Sequence, residues 1–213
     1  MSSATNNPET ATPLLAHLVE LRRRLLIAGG ITLLLFVITV PFANNLFYWL
    51  SAPLLQYLSD DTGMIATQVA TPFITPFKLA FFTALFAAMP VWLYQAWSFI
   101  APGLYQQERR VVLPLMVTSS LLFYAGTAFA YFVVFPLVFG FFTSVAPVGV
   151  TVMTDISHYL DFVITLFFAF GLAFEIPVAT VLLVSAGLTT PAALAAKRPY
   201  ILVGVFTLGM LLT

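Results

Sequence analysis

Three glutamates are the residues whose type and position could do chemistry in this sequence. Glu175 lies inside a long apolar stretch, two residues before Pro177. An ionisable group within hydrocarbon is a functional candidate, because its burial is costly. Glu20 and Glu108 each stand close to arginines. Since a carboxylate can accept parallel hydrogen bonds from a guanidinium, both are candidate acceptors for arginines of a partner.

Each of these glutamates also has a purely structural explanation. Glu20 precedes Arg24 by four positions, which is the favourable order for an ion pair within one helix, and on spacing alone this interpretation is the stronger one. Glu175 could face a watery cavity or bond to Ser, Thr or backbone groups of its own chain. The residues alone leave both uses of Glu175 open.

Residues for enzyme chemistry are largely missing from the sequence. His17 and His158 are predicted on opposite sides of a membrane, where they cannot share a metal. There is no phosphate-binding GxxxxGK[ST], no GxSxG and no HExxH motif. The absence of cysteine excludes disulfides, thiolate metal sites and a cysteine nucleophile. We therefore expect no enzyme activity, no metal or cofactor, and no nucleic-acid partner.

The elements that carry these residues are apolar segments. Of the 213 residues, 61% are hydrophobic and 8% are charged, whereas a soluble domain has about 25% charged residues. The segments are too long for barrel strands and lack their two-residue alternation. They predict an all-α integral membrane protein with one membrane domain over residues 1–213 and five spans, at about 25–43, 73–99, 111–142, 159–186 and 199–213.

The ends of the sequence add two expectations. The polar stretch Met1–Pro13 predicts a flexible tail, and Leu14–Arg24 predicts an amphipathic helix at the membrane surface that runs into the first span. The last span would measure only about 22 Å, against about 30 Å of hydrocarbon.

Prolines near or inside the spans predict tilted, kinked helices: Pro90, Pro114, Pro136 and Pro177.

The distribution of Lys and Arg predicts the topology. Clusters at 22–24, 109–110 and 197–198 mark the cytoplasmic side, which also receives the N-terminus, Glu20 and Glu108. The stretches 44–72 and 143–158 contain neither Lys nor Arg and are predicted as outer loops. Lys78, near the outer end of the second span, is expected to reach the headgroups with its long side chain. Capping by Asp155 and a His158–Asp161 pair are expected at the start of the fourth span.

Several long segments resemble one membrane protein family. They include HLVELRRRLL at 17–26, YQAWSFIAPGLYQQERR at 94–110, FGLAFEIPVA at 170–179 and KRPYILVGVFTLGMLLT at 197–213. In this order they resemble the TatC family, the large membrane subunit of the twin-arginine protein translocase. The resemblance covers nearly the whole chain.

The resemblance implies a function that composition cannot give. It implies a core receptor subunit of the bacterial inner membrane that binds twin-arginine signal peptides of folded proteins and initiates their export, driven by the proton-motive force. It also implies TatA and TatB as partners in an oligomeric complex within the lipid bilayer.

The resemblance also assigns roles to individual positions. Glu20 and Glu108 match the acidic positions that receive the two arginines of the signal, and Arg22 and Phe99 match positions associated with signal-peptide binding. The remaining two are associated with translocation or partner contact: Pro53 in the first outer loop, and Glu175, where a polar residue of TatA or TatB could meet it.

The family pattern has six spans with both termini inside. The sequence ends at Thr213, so a sixth span is expected to be absent, either through truncation or because a shortened chain was chosen. A different class of function remains as an alternative. Glu175 could serve a proton-coupled secondary transporter.

Overall fold

The computed structural model describes residues 12–56, 63–100, 109–145, 153–185, 187 and 189–212. These residues form helices, and the β contact found among them is an isolated bridge between Ile65 and Asp155. In chain order the helices are α1 (Thr12–Thr39), α2 (Ala43–Leu55), α3 (Thr71–Ala87), α4 (Met89–Ile100), α5 (Arg109–Phe129), α6 (Phe135–Val145), α7 (Ile156–Ser185), α8 (Pro191–Ala196) and α9 (Arg198–Leu212). A 3₁₀ turn, Val40–Phe42, joins α1 to α2, and a π-helical segment, Ala130–Val134, joins α5 to α6.

Three helical stretches are long and apolar enough to cross a membrane: Leu18–Leu55, Leu113–Phe142 and Ile156–Ser185. The pair formed by α3 and α4 makes a fourth if its two helices are counted as one span. Helix α9 has 15 residues, which extend about 22 Å and fall short of the hydrocarbon thickness of about 30 Å. The structure therefore confirms a helical membrane protein. Three or four of the predicted spans have full length among the described residues, the fifth predicted segment contains the short helix α9, and the number of spans stays a prediction.

The predicted boundary between the N-terminal tail and the first helix is wrong. Helix α1 begins at Thr12 and runs without a break through the predicted surface helix and into the first span, so Thr12 and Pro13 are not part of a tail. Pro13 is compatible with a helix start because the first-turn amides have no intrahelical partner. Residues 1–11 of the predicted tail lie outside the described residues.

The predicted outer loop 44–72 contains the helix α2. Its apolar residues Leu46, Phe47, Leu50 and Leu54 recur at helical spacing, and Leu54 packs in a cluster with Phe135, Phe139, Tyr159 and Val163. Burial of this face explains why a stretch that begins with two asparagines is helical.

A bend of 49° separates α3 from α4 at Ala88. Pro90, in the first turn of α4, has no amide hydrogen and cannot bond to the carbonyl four residues earlier, which belongs to Phe86. The Tyr124 hydroxyl on α5 donates to that carbonyl at 3.0 Å. The bend thus leaves no acceptor unused at this position. Pro114 and Pro177 lie inside α5 and α7, which remain continuous.

Two glycines allow α5 and α7 to pack closely. A Cβ atom at Gly126 would lie 2.5 Å from the carbonyl oxygen of Phe170, and one at Gly171 would lie 2.6 Å from the ring of Phe123. Small residues at such contacts let helix backbones approach each other in a membrane. This seam positions the buried carboxyl group described below.

Candidate functional site

The carboxylate of Glu20 is already paired with an arginine of its own helix. Its Oε1 accepts hydrogen bonds from Arg24 Nε at 3.1 Å and from Nη2 at 2.5 Å. The ion pair predicted from the four-residue spacing is therefore confirmed. Arg24 Nη1 also donates to Gln95 Oε1 at 3.3 Å, which ties α1 to α4. No pattern in the sequence marks Gln95 as a partner of Arg24.

Part of the Glu20 carboxylate is open to a further ligand. Its side chain is 40% exposed, whereas that of Arg24 is 20% exposed. Among the described residues no donor bonds to its Oε2. Because an ionised carboxylate has about four lone-pair sites, a second donor can be accepted beside Arg24.

The described residues do not bring all of the expected recognition residues to Glu20. Phe99 is in the last turn of α4, rather than in a loop, and follows Gln95 by four residues, so the two share one side of the helix. Arg22 follows Glu20 by two residues, which is about 200° around α1, and it is exposed. Glu108 lies outside the described residues. The structure thus brings Glu20 near Gln95 of α4 and places Arg22 on another face.

Glu175 belongs to a chain of hydrogen bonds that joins three helices. The Ser119 hydroxyl on α5 donates to Glu175 Oε2 on α7, and Trp97 Nε1 on α4 donates to Ser119 Oγ at 3.0 Å. Ser119 is fully buried and Glu175 is 8% exposed. An indole can only donate, so Trp97 leaves the hydroxyl hydrogen of Ser119 available to Glu175. The bond to a serine of the same chain is the structural alternative considered for Glu175.

The second carboxyl oxygen of Glu175 is enclosed. Oε1 is buried and has no hydrogen-bond partner among the described residues. Glu175 lies in the buried row of α7 that includes Gly171, Val178 and Leu182. A partner's side chain would therefore reach this oxygen only after the carboxyl group or its neighbours had moved.

Pro53 lies inside α2, not in a loop. The carbonyl that its missing amide leaves free belongs to Trp49, and the Tyr131 hydroxyl from the π-helical segment donates to it at 3.0 Å. Nearby, the Tyr159 hydroxyl on α7 donates to the carbonyl of Leu50 at 2.6 Å. Pro53 thus supplies an acceptor through which α2 is fastened to the following spans.

An aspartate clamp joins the segment before α3 to the start of α7. Asp155 accepts bonds from the Thr67 amide at 2.9 Å and its hydroxyl at 2.7 Å. It also caps α7 by accepting from the amides of Ser157 at 2.8 Å and His158 at 3.2 Å, as predicted. The Thr67 hydroxyl, followed by these amides, holds the pKa of Asp155 below its usual range.

One predicted contact near this clamp is wrong, and one ion pair was not predicted. Lys78 forms an ion pair with Asp161 across α3 and α7. His158 is 3.4 Å from Asp155 and is not the partner of Asp161. Lys78 and Asp161 are 83 residues apart in sequence, so spacing could not reveal the pair.

Two further features complete the site. The described residues contain no group of His, Asp and Glu side chains that could hold a metal ion. An apolar groove of about 520 Å³ lies beside the bent span, and Phe86, Tyr124, Tyr131 and Trp49 are among its lining residues. Both tyrosine hydroxyls bond to backbone carbonyls, so the groove offers mainly hydrocarbon and aromatic surface.

Comparison with known proteins identifies the family. Residues 16–213 match the family model of the Sec-independent protein translocase protein TatC. The chain belongs to the TatC family. It is therefore a subunit of a Sec-independent protein translocase in the bacterial inner membrane, and the family is a translocase component rather than a known enzyme family.

Individual relatives agree with the family match. The TatC protein of Azotobacter chroococcum mcd 1 is 59% identical over 94% of this chain and 79% of its own length. That of Escherichia coli K12 is 57% identical over 96% of this chain and 80% of its own length. A crystal structure of the twin-arginine translocase receptor TatC superposes with a TM-score of 0.81 at 37% identity, covering 92% of this chain and 86% of that one.

Proposed function

We propose that this TatC family member is the receptor subunit that binds twin-arginine signal peptides on the cytoplasmic side, with Glu20 and Glu108 as acceptors for the two arginines. The observation that carries the proposal is the state of Glu20. One of its oxygens holds a guanidinium at 2.5 Å, and its other oxygen accepts no bond from the described residues. The site thus has the geometry for arginine recognition and capacity for a second donor.

Replacing Arg24 at the Glu20 carboxylate by an arginine of the signal peptide costs little free energy. The Glu20–Arg24 pair is partly exposed and joins residues four apart, and such pairs contribute only about 0.3–0.5 kcal/mol. An arriving arginine can bond to Oε2 or displace Arg24, which keeps its bond to Gln95. Phe99, on the same side of α4 as Gln95, is placed to contact the residues that flank the arginines.

The remaining steps of the proposal concern export. The apolar part of the signal lies between helices, for which the groove beside the bent span offers matching surface. TatA and TatB join the complex, and a polar residue of one of them meets Glu175 after the carboxyl group has left its enclosed position. The proton-motive force drives transport, and Pro53 contributes by holding α2 on the bundle.

Photo-crosslinking tests the recognition step. We expect a twin-arginine signal peptide to crosslink to the membrane-inserted protein, and Glu20→Gln, Glu108→Gln and the double variant to weaken this progressively. A twin-lysine peptide tests for guanidinium geometry, because lysine cannot bond bidentately. Glu9→Gln is the matched control, since it removes the same charge from the N-terminal segment. Undiminished crosslinking in the double variant contradicts the assignment.

The transporter alternative rests on Glu175 alone. Membership of a translocase family favours protein export over solute transport. Solute flux that disappears in Glu175→Gln, together with no binding of signal peptide, would reverse this preference.

A further inference from the structure

Arg22 and Arg23 form an exposed cationic pair on the side of α1 that faces away from the bundle. Ala28, which is buried, marks the inner side of this helix. At about 100° per residue, Arg23 and Leu26 lie about 140° or more around the helix from Ala28. Arg22 is exposed beside them. The arginine that does face inward is Arg24, the partner of Glu20.

The two arginines border a shallow depression. It has a volume of about 410 Å³ and is lined by Val19, Arg22, Arg23, Leu26 and Ile27. Neither arginine forms an ion pair or side-chain hydrogen bond with any described residue. The site thus combines two available guanidiniums with an apolar surface.

The position of this depression places it at the membrane surface. It lies at the start of the first apolar stretch, Leu18–Leu55, on the side that the loop charges assign to the cytoplasm. The apolar surface continues along the side of α1 that faces away from the bundle, where Leu33, Leu34 and Val37 are exposed. A ligand in the depression therefore has aqueous headgroups on one side and hydrocarbon on the other.

The positive charge of the pair makes direct contact between Arg22 and the two arginines of a signal peptide unfavourable. A twin-arginine signal is cationic, and juxtaposed like charges across an interface are repulsive. Glu20 also lies about 200° away from Arg22 around the helix, so the two side chains do not form one pocket. The ligand that complements Arg22 and Arg23 is an anion.

We propose that Arg22 and Arg23 bind the phosphate of an anionic phospholipid in the cytoplasmic leaflet. Guanidiniums match phosphate oxygens with paired hydrogen bonds. The acyl chains then lie along Leu26 and Ile27 and the exposed side of α1. A free phosphate or an acidic peptide would use the arginines but would not cover this apolar surface. The proposal does not rest on the signal-peptide site, since it involves the other face of α1.

A photoactivatable phosphatidylglycerol tests this site in the intact chain. The protein is placed in nanodiscs of phosphatidylcholine containing a small fraction of the probe, and labelled peptides are mapped. We expect labelling within residues 19–27 that falls as salt is raised. Arg22→Gln with Arg23→Gln should lower labelling there about thirtyfold, which is two arginines at about 1 kcal/mol each.

Two controls make the outcome decisive. Lys197→Gln with Arg198→Gln removes two exposed cytoplasmic charges elsewhere and should leave labelling of 19–27 unchanged. Arg22→Lys with Arg23→Lys keeps the charge and should retain more labelling than the Gln pair. Wild-type labelling of 19–27 no greater than that of other exposed span ends overturns the proposal. So does an equal loss in the Lys197 and Arg198 control, or full competition by inorganic phosphate or a phosphorylated peptide.

Discussion

Ser119→Ala removes the donor that the structure shows for the buried carboxyl group of Glu175. Because Ser119 is fully buried, water does not readily replace its hydroxyl. An unsatisfied buried polar group costs about 1–3 kcal/mol, whereas side-chain hydrogen bonds within membrane proteins average about 0.6 and reach about 1.7 kcal/mol. Since Glu175 Oε1 has no partner among the described residues, the loss should lie near the upper membrane value. We expect about 1.5 kcal/mol of destabilisation.

Equilibrium unfolding in bicelles, followed by far-ultraviolet circular dichroism during titration with a denaturing detergent, measures this change. Ser120→Ala is the matched control, because it removes the same group one position along α5, where no side-chain hydrogen bond to a described residue is present. It should change the free energy of unfolding by less than about 0.5 kcal/mol.

A double-mutant cycle with Glu175→Leu isolates the contact. Replacing a buried polar group by an apolar residue of similar volume can be neutral or stabilising, so Glu175→Leu should fold. In that background Ser119→Ala still removes the acceptor of Trp97 Nε1, so it should cost about 0.6 kcal/mol, and the remaining loss of about 1 kcal/mol is the coupling with Glu175. The reasoning is refuted if Ser119→Ala costs no more than Ser120→Ala, or if its cost is the same with and without Glu175.

Three further changes test other parts of the structure in the same unfolding assay. Gly126→Ala should destabilise by about 1–3 kcal/mol, because its Cβ would meet a backbone oxygen at 2.5 Å, whereas Gly30→Ala, with nothing within 4 Å, should be neutral or stabilising. Tyr131→Phe should cost about 1 kcal/mol through loss of the bond to a proline-freed carbonyl, and a smaller effect than that of an exposed Tyr→Phe control would contradict it. Folding lowers the pKa of Asp155, so this carboxylate stabilises the folded state fully above its unfolded pKa of about 3.9. That contribution is lost as pH falls through and below this value. Asp155→Asn should therefore reduce the fall in the free energy of unfolding at acidic pH.

Local contacts were predictable from the sequence. The Glu20–Arg24 pair follows from a four-residue helical spacing, and the Asp155 cap follows from an aspartate just before an apolar helix. The helical membrane class follows from long apolar runs, since hydrocarbon leaves the backbone few alternatives. In each case the partners are close in sequence, or the solvent imposes the structure.

Contacts between distant segments were not predictable in this way. Ser119 is 56 residues from Glu175 and 22 from Trp97, and Gln95 is 71 from Arg24. A serine or a tryptophan within an apolar span has no periodic signal that indicates its partner. The number of full spans does not follow from hydropathy for a related reason: hydropathy measures how apolar a stretch is and not where each helix stops.

Helix α4 connects the carboxylate of Glu20 to the buried carboxyl group of Glu175. Gln95 on this 12-residue helix bonds to Arg24, the partner of Glu20, and two residues later Trp97 bonds to Ser119, the partner of Glu175. The helix follows a 49° bend, and the end of α3 just before that bend is bonded to α5 through the Phe86 carbonyl. A substitution at either carboxyl group therefore removes a bond from a side chain, Arg24 or Ser119, that is itself bonded to the same short helix. Loss of export in a Glu175 variant consequently identifies a partner contact only if peptide crosslinking at the Glu20 site is unchanged in that variant.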